Sequence, residues 1–143
     1  MNQNADCLER FCWLFNSMSS DTKGDLASVY GPDVVFTDPF TTLSGREELA
    51  TYFEGAYANV IQCRFTFEET IRSGTTACVS WTMHLQHRRI RGGEPIAVDG
   101  MSWLTIDNDR IVRHRDYFDA GQLLYENVPV LGAAVRWLRK HAA

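Results

Sequence analysis

Near the N-terminus the apolar positions recur every three or four residues. Leu8, Phe11, Cys12, Phe15 and Met18 fall on one stripe of a helix, and Trp13 and Leu14 widen it. A polar break from Ser19 to Thr22 leads into a short second helix, with Thr22 and Asp25 at capping-box spacing and Gly31-Pro32 as its end. Val34-Val35-Phe36-Thr37 is a brief β-prone run. Pro39 holds the residue before it extended, so Asp38 closes that strand. Ser44-Gly45-Arg46-Glu47 has the form of a capping box, and Leu49, Tyr52, Phe53, Ala56 and Tyr57 follow at helical spacing, which predicts a third helix.

From Cys63 the period changes to two. Cys63, Phe65, Phe67 and Ile71 alternate with polar residues, Gly74 turns the chain, and Ala77, Val79, Trp81, Met83 and Leu85 share one face of the next strand. A third long strand runs from about Ile96 to Ile106, where Gly100 predicts a bulge or bend. The turn Asp107-Asn108-Asp109 leads into a fourth, Arg110 to Tyr117. Long strands joined by short turns make an antiparallel meander. Ala120 to Glu126 predicts a short helix, and Pro129 starts a last one, whose stripe of Leu131, Ala134, Val135 and Leu138 is expected to pack on the body of the domain or on a partner. Arg136, Arg139, Lys140 and His141 lie towards its end, where cations suit the helix dipole.

The 143 residues suit one domain, with no repeat or linker, and 45% hydrophobic against 22% charged residues is the composition of a folded globular chain. The net charge of −4, with Lys and Arg dispersed, argues against nucleic acid as a partner. Arg88, Arg89 and Arg91 before Gly92-Gly93 read as a solvated loop. Cys7, Cys12, Cys63 and Cys78 have no zinc-ligand spacing and are expected as buried free thiols. No apolar run reaches the roughly 18 residues that span a bilayer, and no signal peptide is evident, so the expectation is a cytoplasmic protein without a membrane partner.

Two segments carry a family likeness. Val35-Phe36-Thr37-Asp38-Pro39, with Gly45-Arg46-Glu47-Glu48-Leu49 and Tyr52-Phe53, resembles the region around the general base of ketosteroid isomerases. Arg110 to Asp119 is similar to the last strand of limonene-epoxide-hydrolase-like proteins. Together they make the chain resemble the nuclear-transport-factor-2-like superfamily, its SnoaL-like members included, as a single domain over 1–143. The resemblance implies an α+β fold: a cone-shaped, curved, mixed or antiparallel sheet wrapped by N-terminal helices (a cystatin-like roll), here with an extra C-terminal helix. It also implies a homodimer formed through the sheet. Asp38 matches the isomerase base, whereas the positions of that enzyme's oxyanion-hole tyrosine and protonated aspartic acid fall at about Leu14 and Ser102. Asp116 matches one member of the epoxide hydrolase's Asp-Arg-Asp triad, whose other two fall at about Trp81 and Met83. The standard electrophilic machinery of both enzymes is therefore missing.

Asp38 reads two ways, as a desolvated base between Phe36 and Phe40 or as a turn aspartate bonded to nearby backbone. His114 and Asp116 are two apart on one strand and share a face, so they form either an acid–base pair or a structural charge pair. Trp13, Phe53, Tyr57, Trp81, Met83 and Ser102 are the expected lining of a pocket for a small apolar ligand. Three readings remain open. One is an isomerase, cyclase or hydrolase of a small apolar carbonyl or epoxide compound, working without metal or organic cofactor. The others are a non-catalytic binding module and a structural or dimerisation domain.

Overall fold

In the computed structural model, which describes residues 5–19, 24–124, 127 and 129–142, helix α1 spans Cys7–Ser17. Asp6 starts it by accepting the Glu9 backbone N–H at 2.9 Å, one of the donors a helix start leaves open. Cys7, Phe11, Leu14, Phe15 and Met18 are buried, at the expected spacing. Trp13 is half exposed, because it lies about 200° round the helix from Phe11. Arg10 ties α1 down: its guanidinium donates to the carbonyls of Ala5 at 2.6 Å, Ser28 at 2.8 Å and Asp109 at 2.7 Å, and pairs with the Asp109 carboxylate at 2.9 Å.

The second helix is replaced by one 3-10 turn, Leu26–Ser28; Thr22, its expected cap, lies outside the described residues. Gly31 and Pro32 belong instead to strand β1, Tyr30–Thr37. Proline has no N–H for a ladder, but the register against the neighbouring strand shifts between Tyr30 and Val35, where an irregularity dispenses with that donor. Strand β2, Thr42–Ser44, folds back on β1, and helix α2 spans Arg46–Tyr57. The capping box is not formed as expected. Gly45 is the N-cap, with φ +90°, and Glu48 rather than Glu47 reaches back to the Ser44 N–H at 2.7 Å.

Strands β3 (Val60–Ser73), β4 (Thr76–His87), β5 (Ile96–Asp107) and β6 (Arg110–Phe118) form the antiparallel meander. Because β1 pairs parallel to β6, the curved, unclosed sheet is mixed and has the order β2-β1-β6-β5-β4-β3. Its turns use residues that tolerate a left-handed backbone, Gly74 at φ +58° and Asn108 and Asp109 at +51° and +57°. The alternation fails in three places: β3 has an extra residue against β4 between Val60 and Gln62 and again between Phe67 and Thr70, where the parity flips and Ile71 faces solvent, and β6 has one against β5 between Ile111 and Arg113, so that Ile111 and His114 are both buried. At Gly100 the register is unbroken, contrary to the expected bulge. The residue is a glycine because the Trp81 indole crosses it; a Cβ there would sit 2.3 Å from the ring.

Helices α1 and α2 cover one face of the sheet. A large core joins them to β1, β4, β5 and β6, and a smaller one of Val60, Leu85, Ile96 and Val98 takes in Leu123 of helix α3, Ala120–Leu123. In helix α4, Pro129–His141, Leu131 and Leu138 of the stripe are about half exposed on the single chain, as is Trp137, which leaves packing on a partner as the expectation for them. Gly132 is buried and Val135 half-buried, and Arg139 lies 3.8 Å from Asp119. The four cysteines are free, but only Cys7 is fully buried.

Gly100→Ala should lower stability by about 1–3 kcal/mol in chemical denaturation, since the indole has to leave its place. An unchanged midpoint would show that Trp81 moves aside without cost.

Candidate functional site

Parallel pairing of β1 with β6 sets Phe36 level with His114 and Thr37 level with Arg115. Asp38 and Asp116 come one residue further on. Alternation therefore turns Phe36, Asp38, His114 and Asp116 to the helix-covered side of the sheet. The His114 ring is 1% exposed, enclosed edge-on by Phe36 at 4.9 Å and Phe11 at 5.4 Å and stacked on Tyr30 at 5.8 Å.

A buried imidazole needs a partner on each nitrogen. Nδ1 lies 2.8 Å from the Tyr30 hydroxyl, and Nε2 lies 2.6 Å from Oδ1 of Asp116. Ser102 also donates to Oδ1 at 2.6 Å, and accepts the indole N–H of Trp81 at 3.0 Å. Among the described residues Oδ2 of Asp116 takes no hydrogen bond, and the side chain retains 18% exposure. Burial first, and then the Asp116 charge, hold the Tyr30 phenol well above its ordinary pKa, so it keeps its proton.

Asp38 is more fully occupied. Its Oδ1 accepts the backbone N–H of Phe40 at 2.8 Å and of Thr41 at 3.0 Å, and its Oδ2 accepts the Tyr52 hydroxyl. Tyr52 is raised by burial, then by that bond and by the charges of Asp38 and Asp116, so it too stays protonated. Tyr30 and Tyr52 are the functional candidates that sequence reasoning missed. Tyr52 stood in the helical stripe as an apolar residue, and Tyr30 stood just before a Gly-Pro read as a helix end.

Of the expected lining, Trp81 and Ser102 join this network. Met83 packs beside the smaller core, and Phe53 sits 5.7 Å from Phe36. Trp13, half exposed, does not line the site. Phe53 and Tyr57 instead border a cavity of about 490 Å³ between the end of α1 and α2, which Met18, Leu26, Arg46 and Ala50 also line. A polar groove of about 740 Å³ lies between Arg91, Ile96 and Gln122. Neither borders Asp38, His114 or Asp116. Among the described residues no group of three or more His, Cys, Asp and Glu is placed to hold a metal ion, and no helix is long and apolar enough to cross a membrane.

A curved, unclosed mixed sheet covered by N-terminal helices, with a C-terminal helix appended, is the nuclear-transport-factor-2-like fold. Within that class the chain belongs to the SnoaL-like domain family, whose model matches residues 8–114. No curated protein matches its sequence. Among solved structures it is similar to a hypothetical protein of Catenulispora acidiphila with a ketosteroid-isomerase-like fold, in complex with trimethylamine; identity is 15%, coverage 89% of this chain and 94% of that one, and the TM-score 0.72. An NTF2-like protein of unknown function from Burkholderia pseudomallei matches at 21% identity over 87% and 96% of the two chains, TM-score 0.72. A Mycobacterium tuberculosis epoxide hydrolase of the limonene-epoxide-hydrolase-like kind matches at 21% over 90% and 92%, TM-score 0.66. At such identities the likeness is one of fold.

Burial lifts the Cys63 thiol from 9.0 to about 11, against an opposing pull from the Tyr57 hydroxyl, and burial raises Tyr57 itself. Such groups keep their protons in the fold after the unfolded chain has begun to lose its own, so their stabilisation is whole below the unfolded pKa and is lost as pH rises through the folded one. The melting temperature should hold to about pH 9 and fall on the way to pH 11, less steeply in Cys63→Ser. A flat profile to pH 11 contradicts this.

Proposed function

We propose that this chain is a cofactor-independent acid–base enzyme, an isomerase, cyclase or hydrolase of a small apolar carbonyl or epoxide compound, with Asp116 as its acting carboxylate. The observation that carries the reading is the asymmetry of Asp116: Oδ1 is held by His114 and Ser102, while Oδ2 takes no hydrogen bond among the described residues and the side chain still meets solvent. A free carboxylate oxygen on a rigid support suits proton abstraction or orientation of a water. Asp38 is the poorer candidate, because three donors already occupy both of its oxygens. Its role in this reading is to take the hydroxyl proton of Tyr52 and so fix that side chain. Trp81 and Met83 supply apolar wall. The fold likeness to an epoxide hydrolase supports the reaction class without naming a substrate.

The reading also takes 1–143 as one cytoplasmic domain that pairs with a second copy through the outer face of the sheet, where Met101, Trp103 and Tyr117 stand about half exposed. A second reading, a binding module or structural domain without chemistry, is favoured by one fact: neither described cavity reaches Asp116.

In a turnover screen of small ketones and epoxides, Asp116→Asn should lower the rate by about 100-fold or more with the melting temperature kept, and Asp38→Asn should cost less. Wild-type turnover by Asp116→Asn would leave the second reading. Light scattering should give twice the 16.3 kDa chain mass at micromolar concentration; the monomer mass would remove the dimer.

A further inference from the structure

Two buried chains of donors end on the same oxygen. One begins at the Trp81 indole N–H, which can only donate; Ser102 accepts it at 3.0 Å and therefore turns its own hydroxyl proton to Oδ1 of Asp116 at 2.6 Å. The other begins at Tyr30, which is fully buried and whose hydroxyl meets Nδ1 of His114 at 2.8 Å. If Nδ1 carried the proton, the phenol hydrogen would have no acceptor in that enclosed place. Tyr30 must donate, Nδ1 must accept, and the imidazole proton lies on Nε2, directed at Oδ1 at 2.6 Å. Tyr30's raised pKa agrees with a phenol that stays a donor.

We infer that Tyr30 and Trp81 are positioning residues which, through His114 and Ser102, saturate Oδ1 of Asp116 and confine its chemistry to Oδ2. Oδ1 then receives two hydrogen bonds and cannot itself take up a proton without breaking one of them. A proton drawn from a substrate or a water settles on Oδ2. Neither Tyr30 nor the Trp81 N–H touches the ligand. The selectivity between the two oxygens is set one and two residues back, by the direction of donors in the core. The consequence for turnover rests on reading Asp116 as the acting carboxylate; the direction of the donors does not.

The test is nitrogen NMR on the full-length chain labelled with 15N-histidine, at neutral pH. The His114 imidazole, recognised by its contacts to the Tyr30 ring, should show an unprotonated Nδ1 and a protonated Nε2. Tyr30→Phe, which keeps the ring and removes the donor, should lose that single tautomer. With a substrate in hand, Tyr30→Phe should lower kcat on the order of tenfold while leaving KM unchanged, a split that mere loosening of the fold does not give. A proton on Nδ1 in the wild-type chain overturns the inference, whether or not Tyr30→Phe folds. Should the expected tautomer be found while Asp116→Asn keeps full turnover, the catalytic reading fails and the positioning of the carboxylate stands.

Discussion

A buried imidazole with both nitrogens bonded is the constraint around which this fold is arranged. Tyr30, His114, Ser102 and Trp81 come from β1, β6, β5 and β4, four strands that are neighbours in that order. The hydrogen bonds between them therefore cross every seam in the middle of the sheet. A slip of one residue at any seam would carry one member to the outer face and leave a polar group stranded in the core, at a cost of roughly 1–3 kcal/mol. No buried side-chain polar atom is left unpaired among the described residues. The same network thus specifies the register of the sheet.

The two carboxylates next to this network divide the work by the donors they meet. Asp38 stands at a turn where two backbone N–H groups and a phenol converge on it, and it behaves as a structural anion that fixes the β1–β2 connection and the Tyr52 side chain. Asp116 stands within a strand, whose backbone donors are engaged in the ladder, so among the described residues side chains alone meet it and one of its oxygens is left over. Position at a turn or within a strand, more than the amino-acid type, separates an occupied carboxylate from one available to a ligand.

Much of the fold was legible in the sequence because β4 and β5 alternate along their length, β6 alternates from Arg113 on, and the turns carry Gly74 and Asn108-Asp109. The shared face of His114 and Asp116, and that of Trp81 and Met83, followed from the same period of two. The misses have physical causes. Ile71 lies past a bulge that composition does not mark. Gly31-Pro32 reads as a helix stop, yet an irregular seam admits a proline, and with it Tyr30 passes from a helix end to the first residue of the central parallel strand. Gly100 signals a close approach rather than a bulge, which only the placement of the Trp81 ring reveals. Trp13 widened the stripe of α1 on paper, but a stripe two residues off the core axis faces solvent. The amphipathic pattern of α4 does not say whether its stripe meets the body or a partner, and on the single chain Leu131 and Leu138 are about half exposed.

The account turns on where a few protons lie, and neutron diffraction from a deuterium-exchanged crystal sees them directly. It should place deuterium on the Tyr30 hydroxyl directed at Nδ1 of His114, on Nε2 of His114, and on the Ser102 hydroxyl directed at Asp116, with none on Oδ1. Deuterium on Nδ1, or on Oδ1 of Asp116, would contradict it.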